Sequence, residues 1–92
     1  PIRIDKRNRV ASVDGRRLDL TFAEFSLLLL LMEAESGIAT KEEISLHVLG
    51  RQLQSFDRSV DVHVSNLRQK LAPFPAIKLE TIRRVGYRLV TR

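Results

Sequence analysis

The chain contains no cysteine. Disulfides and thiolate metal sites are therefore excluded, and the composition fits a reducing cytoplasm. Long hydrophobic runs are missing too. The longest, Leu27 to Met32, is six residues, against roughly 20 needed to span a bilayer, so no membrane partner is expected. That run lies inside the chain and is not a secretory signal. Aromatic residues are scarce, with four Phe, one Tyr and no Trp, and they fall mostly at core or turn positions, which leaves little to stack on unpaired bases. Histidine is confined to His47 and His63. Without a paired carboxylate, a glycine-rich phosphate loop or a Ser/His/Asp order, the chain offers no catalytic residue, no metal site and no cofactor site.

Acidic residues are almost absent from one region. Residues 1–57 hold eight Lys/Arg against nine Asp/Glu, whereas residues 58–92 hold eight Lys/Arg against Asp61 and Glu80 alone. The net charge of +5 is thus concentrated in the last third. Such a block attracts phosphates or anionic lipid, although a solvated basic surface would have the same composition. What remains is ordinary for a globular protein. Ninety-two residues suffice for one domain, 1–92, and not for two. The first residue is Pro1 rather than Met, as expected of a piece of a longer protein.

The opening stretch alternates apolar and polar residues. Ile2 and Ile4, an Asp14-Gly15 turn, then Leu18 and Leu20 predict a small antiparallel sheet with one wet face. Thr21-Phe22-Ala23-Glu24 is a capping box that opens a first helix over Phe22 to Glu35, ended by Gly37. Its apolar residues cover more than one face, so it should be buried on several sides. Thr40-Lys41-Glu42-Glu43 opens a second helix through Leu49, closed by Gly50. Residues 51–56 read as a loop. A third helix is expected from Asp57 to Leu71, with Val60, Val64, Leu67 and Leu71 as a core stripe and Pro73 as its stop. Ile77 to Arg83 then reads as a strand, with Ile77, Leu79 and Thr81 on one face. Gly86 turns the chain, and Tyr87 to Val90 returns beside it. An N-terminal antiparallel sheet, a three-helix bundle and a terminal hairpin make an α+β fold with the plan of a winged helix-turn-helix.

The third helix carries the chemistry. Opposite its core stripe lie Arg58, Val62, Ser65, Gln69 and, slightly aside, Asn66, with His63 on one flank and Arg68 on the other. Asn and Gln can pair with adenine, Arg with guanine or phosphate, and Val with a thymine methyl. The hairpin adds Arg83, Arg84 and Arg88, and an Arg on a narrow turn can enter a minor groove. The Thr81 and Tyr87 hydroxyls can reach phosphates. A plain surface helix and a plain basic hairpin are the alternatives, and so is a winged helix used for protein–protein or RNA contact.

Leu18-x-Leu20-Thr21-x-x-Glu24-Phe25-x-Leu27-Leu28, then Arg58-x-Val60-Asp61-x-His63-Val64-x-x-Leu67-Arg68-x-Lys70-Leu71, then Thr81-Ile82-Arg83-x-x-Gly86-Tyr87 resemble the OmpR/PhoB family of response-regulator output domains over nearly the whole chain. Ser55-Phe56-Asp57-Arg58 with Ser65-Asn66-Leu67-Arg68 points to the CpxR-type branch. The resemblance implies a two-component DNA-binding domain, with helix 57–71 in the major groove and a wing over 80–88 in the minor groove. Arg58 and His63 match backbone contacts, and Ser65, Asn66 and Arg68 match the reading face. Thr81 matches a wing phosphate contact, and Arg83 the Arg that probes the minor groove. It further implies double-stranded DNA with tandem direct repeats, RNA polymerase contact through loop 51–56, and a phosphate-accepting receiver domain in the intact protein. Two departures stand out. Some relatives carry arginines where this chain has Ser65 and Asn66. Their wing often has Gly after the Arg, where this chain has Arg84-Val85.

Overall fold

Period-2 alternation builds the first sheet. The computed structural model describes residues 2–55 and 57–91, and its first strands are β1 (Ile2–Asp5), β2 (Val10–Val13) and β3 (Arg16–Leu18), antiparallel in that order. Ile2 opposes Val13, Ile4 opposes Ala11, and Ala11 opposes Leu18, so one face carries the apolar set. Asp14 and Gly15 both take positive φ, 49° and 81°, as a two-residue hairpin requires. Leu20 lies beyond β3 rather than in it and packs half-buried on the core. Arg9 pins this sheet to the first helix. Its guanidinium lies 3.8 Å from the centre of the Phe22 ring and 4.6 Å from that of Phe25, and it donates to the Phe22 carbonyl at 3.0 Å. Phe22, expected at a core or turn position, is 72% exposed under that guanidinium.

α1 (Phe22–Glu33) opens on the expected capping box: Glu24 N–H donates to Thr21 Oγ1 at 3.2 Å and Thr21 N–H to Glu24 Oε1 at 2.9 Å. Phe25, Leu27, Leu28 and Leu31 are buried and Leu29 and Leu30 half-buried, so the helix is enclosed on several sides. Glu24 is buried as well and accepts a hydrogen bond from Lys70. Burial pushes its carboxyl up, but the bonds from Lys70 and Thr21 outweigh that and hold it below its usual value.

The helix ends at Glu33 rather than Glu35, because Ala34 turns extended (φ −67°, ψ 131°). Gly37, at φ 74°, aims the chain into β4 (Ile38–Thr40), a strand absent from the sequence reading. Three residues carry too little alternation to announce a strand, and Thr40 also serves as the next N-cap. α2 (Lys41–Ile44) begins on the second capping box, with Glu43 N–H donating to Thr40 Oγ1 at 3.0 Å. It continues as one π-helical turn over Ser45–Leu49, closed by Gly50 in the left-handed region. Buried Ser45 donates to the Arg51 carbonyl at 2.8 Å and ties that turn to the following loop.

α3 (Ser59–Leu71) buries Val60, Val64, Leu67 and Leu71, the stripe read from the spacing. It starts two residues later than expected. Asp57 stays outside and accepts from Ser59 N–H at 3.0 Å, held there by Arg51 at 3.0 Å, and Arg58 has non-helical ψ near 1°. Phe56 of the expected loop lies outside the described residues.

The chain ends in β5 (Ile77–Ile82) and β6 (Gly86–Thr91). With β4 they form a sheet in the order β4-β6-β5, in which β4 pairs with Gly86–Arg88, the half of β6 next to the turn. Ile77 and Leu79 are buried whereas Thr81, expected on their face, is exposed. The turn is not made by Gly86. It spans 83–85, with Arg84 at φ 65°, and Gly86 is the first residue of β6, opposite Thr40 and Ile82. Glycine is required there by proximity: an added Cβ would lie 2.1 Å from the Ala39 carbonyl oxygen.

Candidate nucleic-acid interface

α3 presents a face free of acidic groups. Arg58 sits exposed at its N-cap, and Val62, Ser65, Asn66 and Gln69 follow on the exposed side, Val62 at 52% exposure. His63 is half-buried on the flank. The one carboxylate of α3, Asp61, is drawn away from that face. It accepts from the Tyr87 hydroxyl at 2.6 Å and pairs with Lys41 at 3.2 Å. The bond from Tyr87 comes first in holding its carboxyl below the usual range, with Lys41 and the charge of Arg58 adding to it.

Tyr87 departs from its sequence reading. Instead of offering its hydroxyl to a phosphate it is buried against α3, where Asp61 takes the proton donor. Burial first, then the bond to Asp61, pushes the phenol up to about 12. Arg68 also does more than face outward. Its Nε donates to the Leu79 carbonyl at 2.9 Å and its Nη2 to Thr81 Oγ1 at 3.1 Å. Asp61 and Arg68, seven residues apart, are two turns apart on one side of α3. Asp61 straps the helix to β6 and Arg68 straps it to β5. Thr81 is exposed and keeps its hydroxyl proton free to donate onward.

The tip of the hairpin carries Arg83 and Arg84, both exposed, with Val85 beside them. Neither guanidinium has a hydrogen bond, ion pair or ring partner among the described residues. Glu80, the other acid of this region, lies 3.9 Å from Arg88. Both carboxylates of the basic third are thus paired, and the tip and the outer face of α3 are left to the cations. The sequence reading missed Lys41, which both pairs with Asp61 and donates its backbone N–H to the Val85 carbonyl at 3.3 Å. Nothing local in the sequence marks it, because its partners are 20 and more residues away.

A helix with an acid-free polar face, strapped to a basic hairpin, has the plan of a winged-helix domain. The family model described as "Transcriptional regulatory protein, C terminal" matches residues 15–89. The transcriptional regulatory protein CpxR of Escherichia coli K12 is 44% identical over 85 residues, covering 88% of this chain and 36% of that protein. The crystal structure of the DNA-binding domain of E. coli CpxR is similar at a TM-score of 0.84 and 37% identity, over 98% of this chain and 90% of that one. The DNA-binding domain of Klebsiella pneumoniae RstA, solved in complex with the RstA box, has a TM-score of 0.84 at 30% identity, over 97% of this chain and 90% of that one. The chain spans little more than a third of the length of the curated relatives it matches, 37% and 36% for the first two. It belongs to the family of transcriptional regulatory protein C-terminal domains, of OmpR/PhoB type.

Proposed function

We propose that this chain, as one winged-helix domain over 1–92, binds double-stranded DNA sequence-specifically and is the output domain of a two-component response regulator controlling transcription. α3 lies in the major groove, and wing residues 80–88 lie along the minor groove. The observation that carries this is the pair of straps. Asp61–Tyr87 and Arg68–Leu79/Thr81 hold the outer face of α3 and the basic tip as one unit. Arg58, His63, Thr81 and Arg84 are assigned to phosphates, Val62, Ser65, Asn66, Arg68 and Gln69 to base edges, and Arg83 to the minor groove.

The role is one of binding and not catalysis, in the cytoplasm, as suits a relative of transcriptional regulators. In the intact protein a receiver domain controls it, and neighbouring copies occupy tandem direct repeats. Loop 51–56 meets RNA polymerase. In support, Gln52 and Leu53 line a depression of about 370 Å³ with Glu42 and the 56% exposed Leu46. The test is a gel-shift series over salt with duplex DNA and duplex RNA. Steep salt dependence and a preference for selected DNA sites are expected. Equal affinity for duplex RNA would overturn the reading.

A further inference from the structure

An arginine is a poor N-cap. Its guanidinium has no acceptor for the free N–H groups of the first turn, and its charge stands at the positive end of the helix dipole. Arg58 nevertheless holds that position in α3 and makes no capping bond. Asp57 and Arg51 take over the task. Asp57 Oδ1 accepts from Ser59 N–H at 3.0 Å. Arg51 Nη2 donates to the same Oδ1 at 3.3 Å and to Ser59 Oγ at 2.9 Å. One nitrogen therefore holds the residues on either side of Arg58, and leaves the Arg58 side chain exposed.

Arg51 is itself fixed by its main chain. Its N–H donates to the Ser45 carbonyl at 3.4 Å, and its carbonyl accepts from Ser45 Oγ at 2.8 Å. Ser45 is wholly buried in the π-helical turn. The Asp57 side chain is only 7% exposed. Its Oδ2 is buried without a hydrogen bond among the described residues, and the charge of Arg51 at 3.0 Å compensates it. A buried carboxylate that loses its cation turns out to water. Asp57 would then release Ser59 N–H, and the backbone on both sides of Arg58 would come free.

The geometry points to Arg51 as a positioning residue, one that touches no DNA itself and, through Asp57 and Ser59, fixes the backbone from which Arg58 reaches a phosphate. This rests on the DNA-binding reading above and adds to it a residue that has no part in the contact. The test is the duplex affinity of Arg51→Met and Asp57→Ala, each made in the unaltered chain and in Arg58→Ala. It is measured at a temperature where circular dichroism shows every variant folded. Arg51→Met should weaken binding roughly fivefold. Asp57→Ala should weaken it too, against the sign of simple electrostatics, because removing an acid beside DNA tightens binding when charge alone matters. Both losses should vanish in Arg58→Ala, since a positioning residue acts only through the group it positions. A merely destabilising change would cost the same in either background.

A loss by Arg51→Met that persisted in Arg58→Ala, or tighter binding by Asp57→Ala, would make Arg51 a contact in its own right and overturn the positioning role. Unchanged affinity in both single variants would overturn it as well, and so would an Arg58→Ala variant that bound as the unaltered chain does, because no contact would be left to position. Absence of salt-dependent duplex binding by the unaltered chain would overturn the DNA-binding reading itself, and this role with it.

Discussion

Arg58 and Asn66 are both exposed on α3, and under the proposed function they ask different things of DNA. A guanidinium at the helix N-cap meets phosphates, which position a protein without reading sequence. Arg58→Ala should weaken binding about equally on selected and random duplexes and lower the salt slope by about one unit. An amide on the exposed face beside Ser65 and Val62 is assigned by the proposed function to base edges. Asn66→Ala should cost roughly 1–3 kcal/mol on the selected site and little on random DNA. Titrations of both variants on both duplexes separate the roles, and an exchange of the two patterns would mean that the roles are reversed. Tyr87 allows a test without DNA. It is the only tyrosine and the chain has no tryptophan, so phenolate absorbance reports this residue alone. Its folded value of about 12 stands above the ordinary 10.0. A raised value favours the protonated phenol in the fold. That stabilisation is complete below pH 10 and is lost as pH climbs toward 12. The phenol should therefore titrate near 12 in the folded protein and near 10 in denaturant. Tyr87→Phe should shrink the alkaline loss of stability, and a phenol titrating near 10 in the folded state would contradict the buried bond to Asp61.

At the scale of elements, the seam between β4 and the wing depends on one close approach. β4 and β6 meet at Gly86, where a methyl would stand 2.1 Å from the Ala39 carbonyl oxygen and 2.7 Å from Thr40 Cα. Both obstacles are backbone, so neither can swing aside. Gly86→Ala should therefore destabilise by roughly 3 kcal/mol or more, at the upper end of overpacking costs. Because Lys41 N–H bonds the Val85 carbonyl one residue away, separating β4 from β6 also frees the tip. The variant should lose DNA affinity even at temperatures where circular dichroism shows it folded. A thermal midpoint equal to that of the unaltered chain would show that the sheet can open there at little cost. α3 is more tolerant at its outer face than at its stripe, since Leu67 is fully buried and its truncation leaves a cavity in the centre of the core.

At the scale of the molecule, the large exposed apolar side chains among the described residues are Phe22, Met32, Leu46, Val62 and Val85, spread over α1, the π-helical turn, α3 and the wing. An obligate dimer needs a broad shared apolar surface, and scattered single residues do not supply one. The isolated domain should sediment as a monomer. On DNA, the proposed function leads us to expect tandem direct half-sites about one helical turn apart, which would place successive copies on the same side of the duplex. Footprinting with the half-site spacing lengthened by about five base pairs should abolish cooperative filling of the second site. A stable dimer in solution together with selection of inverted repeats would contradict both expectations.

The sequence by itself determined whatever depends on near neighbours along the chain. The two capping boxes, the Asp14-Gly15 hairpin and the Val60-Val64-Leu67-Leu71 stripe each act within a few residues, and the structure places them as read. The exposed face of α3 was legible for the same reason, because a helix with a known core stripe has a known opposite side. Tertiary structure decided what depends on contacts between distant segments. β4 exists because β6 is there to pair with it, and its three residues have no pattern of their own. Gly86 reads as a turn until the Ala39 backbone is seen against it, and the strain of the turn then falls on Arg84. Tyr87 reads as a DNA contact until Asp61, 26 residues away, claims its hydroxyl, and Arg68 reads as a purely outward side chain until the β5 backbone, 11 residues away, takes one of its donors. A hydroxyl or a guanidinium bonds whichever acceptor the fold brings within 3 Å or so, and sequence spacing does not measure that distance.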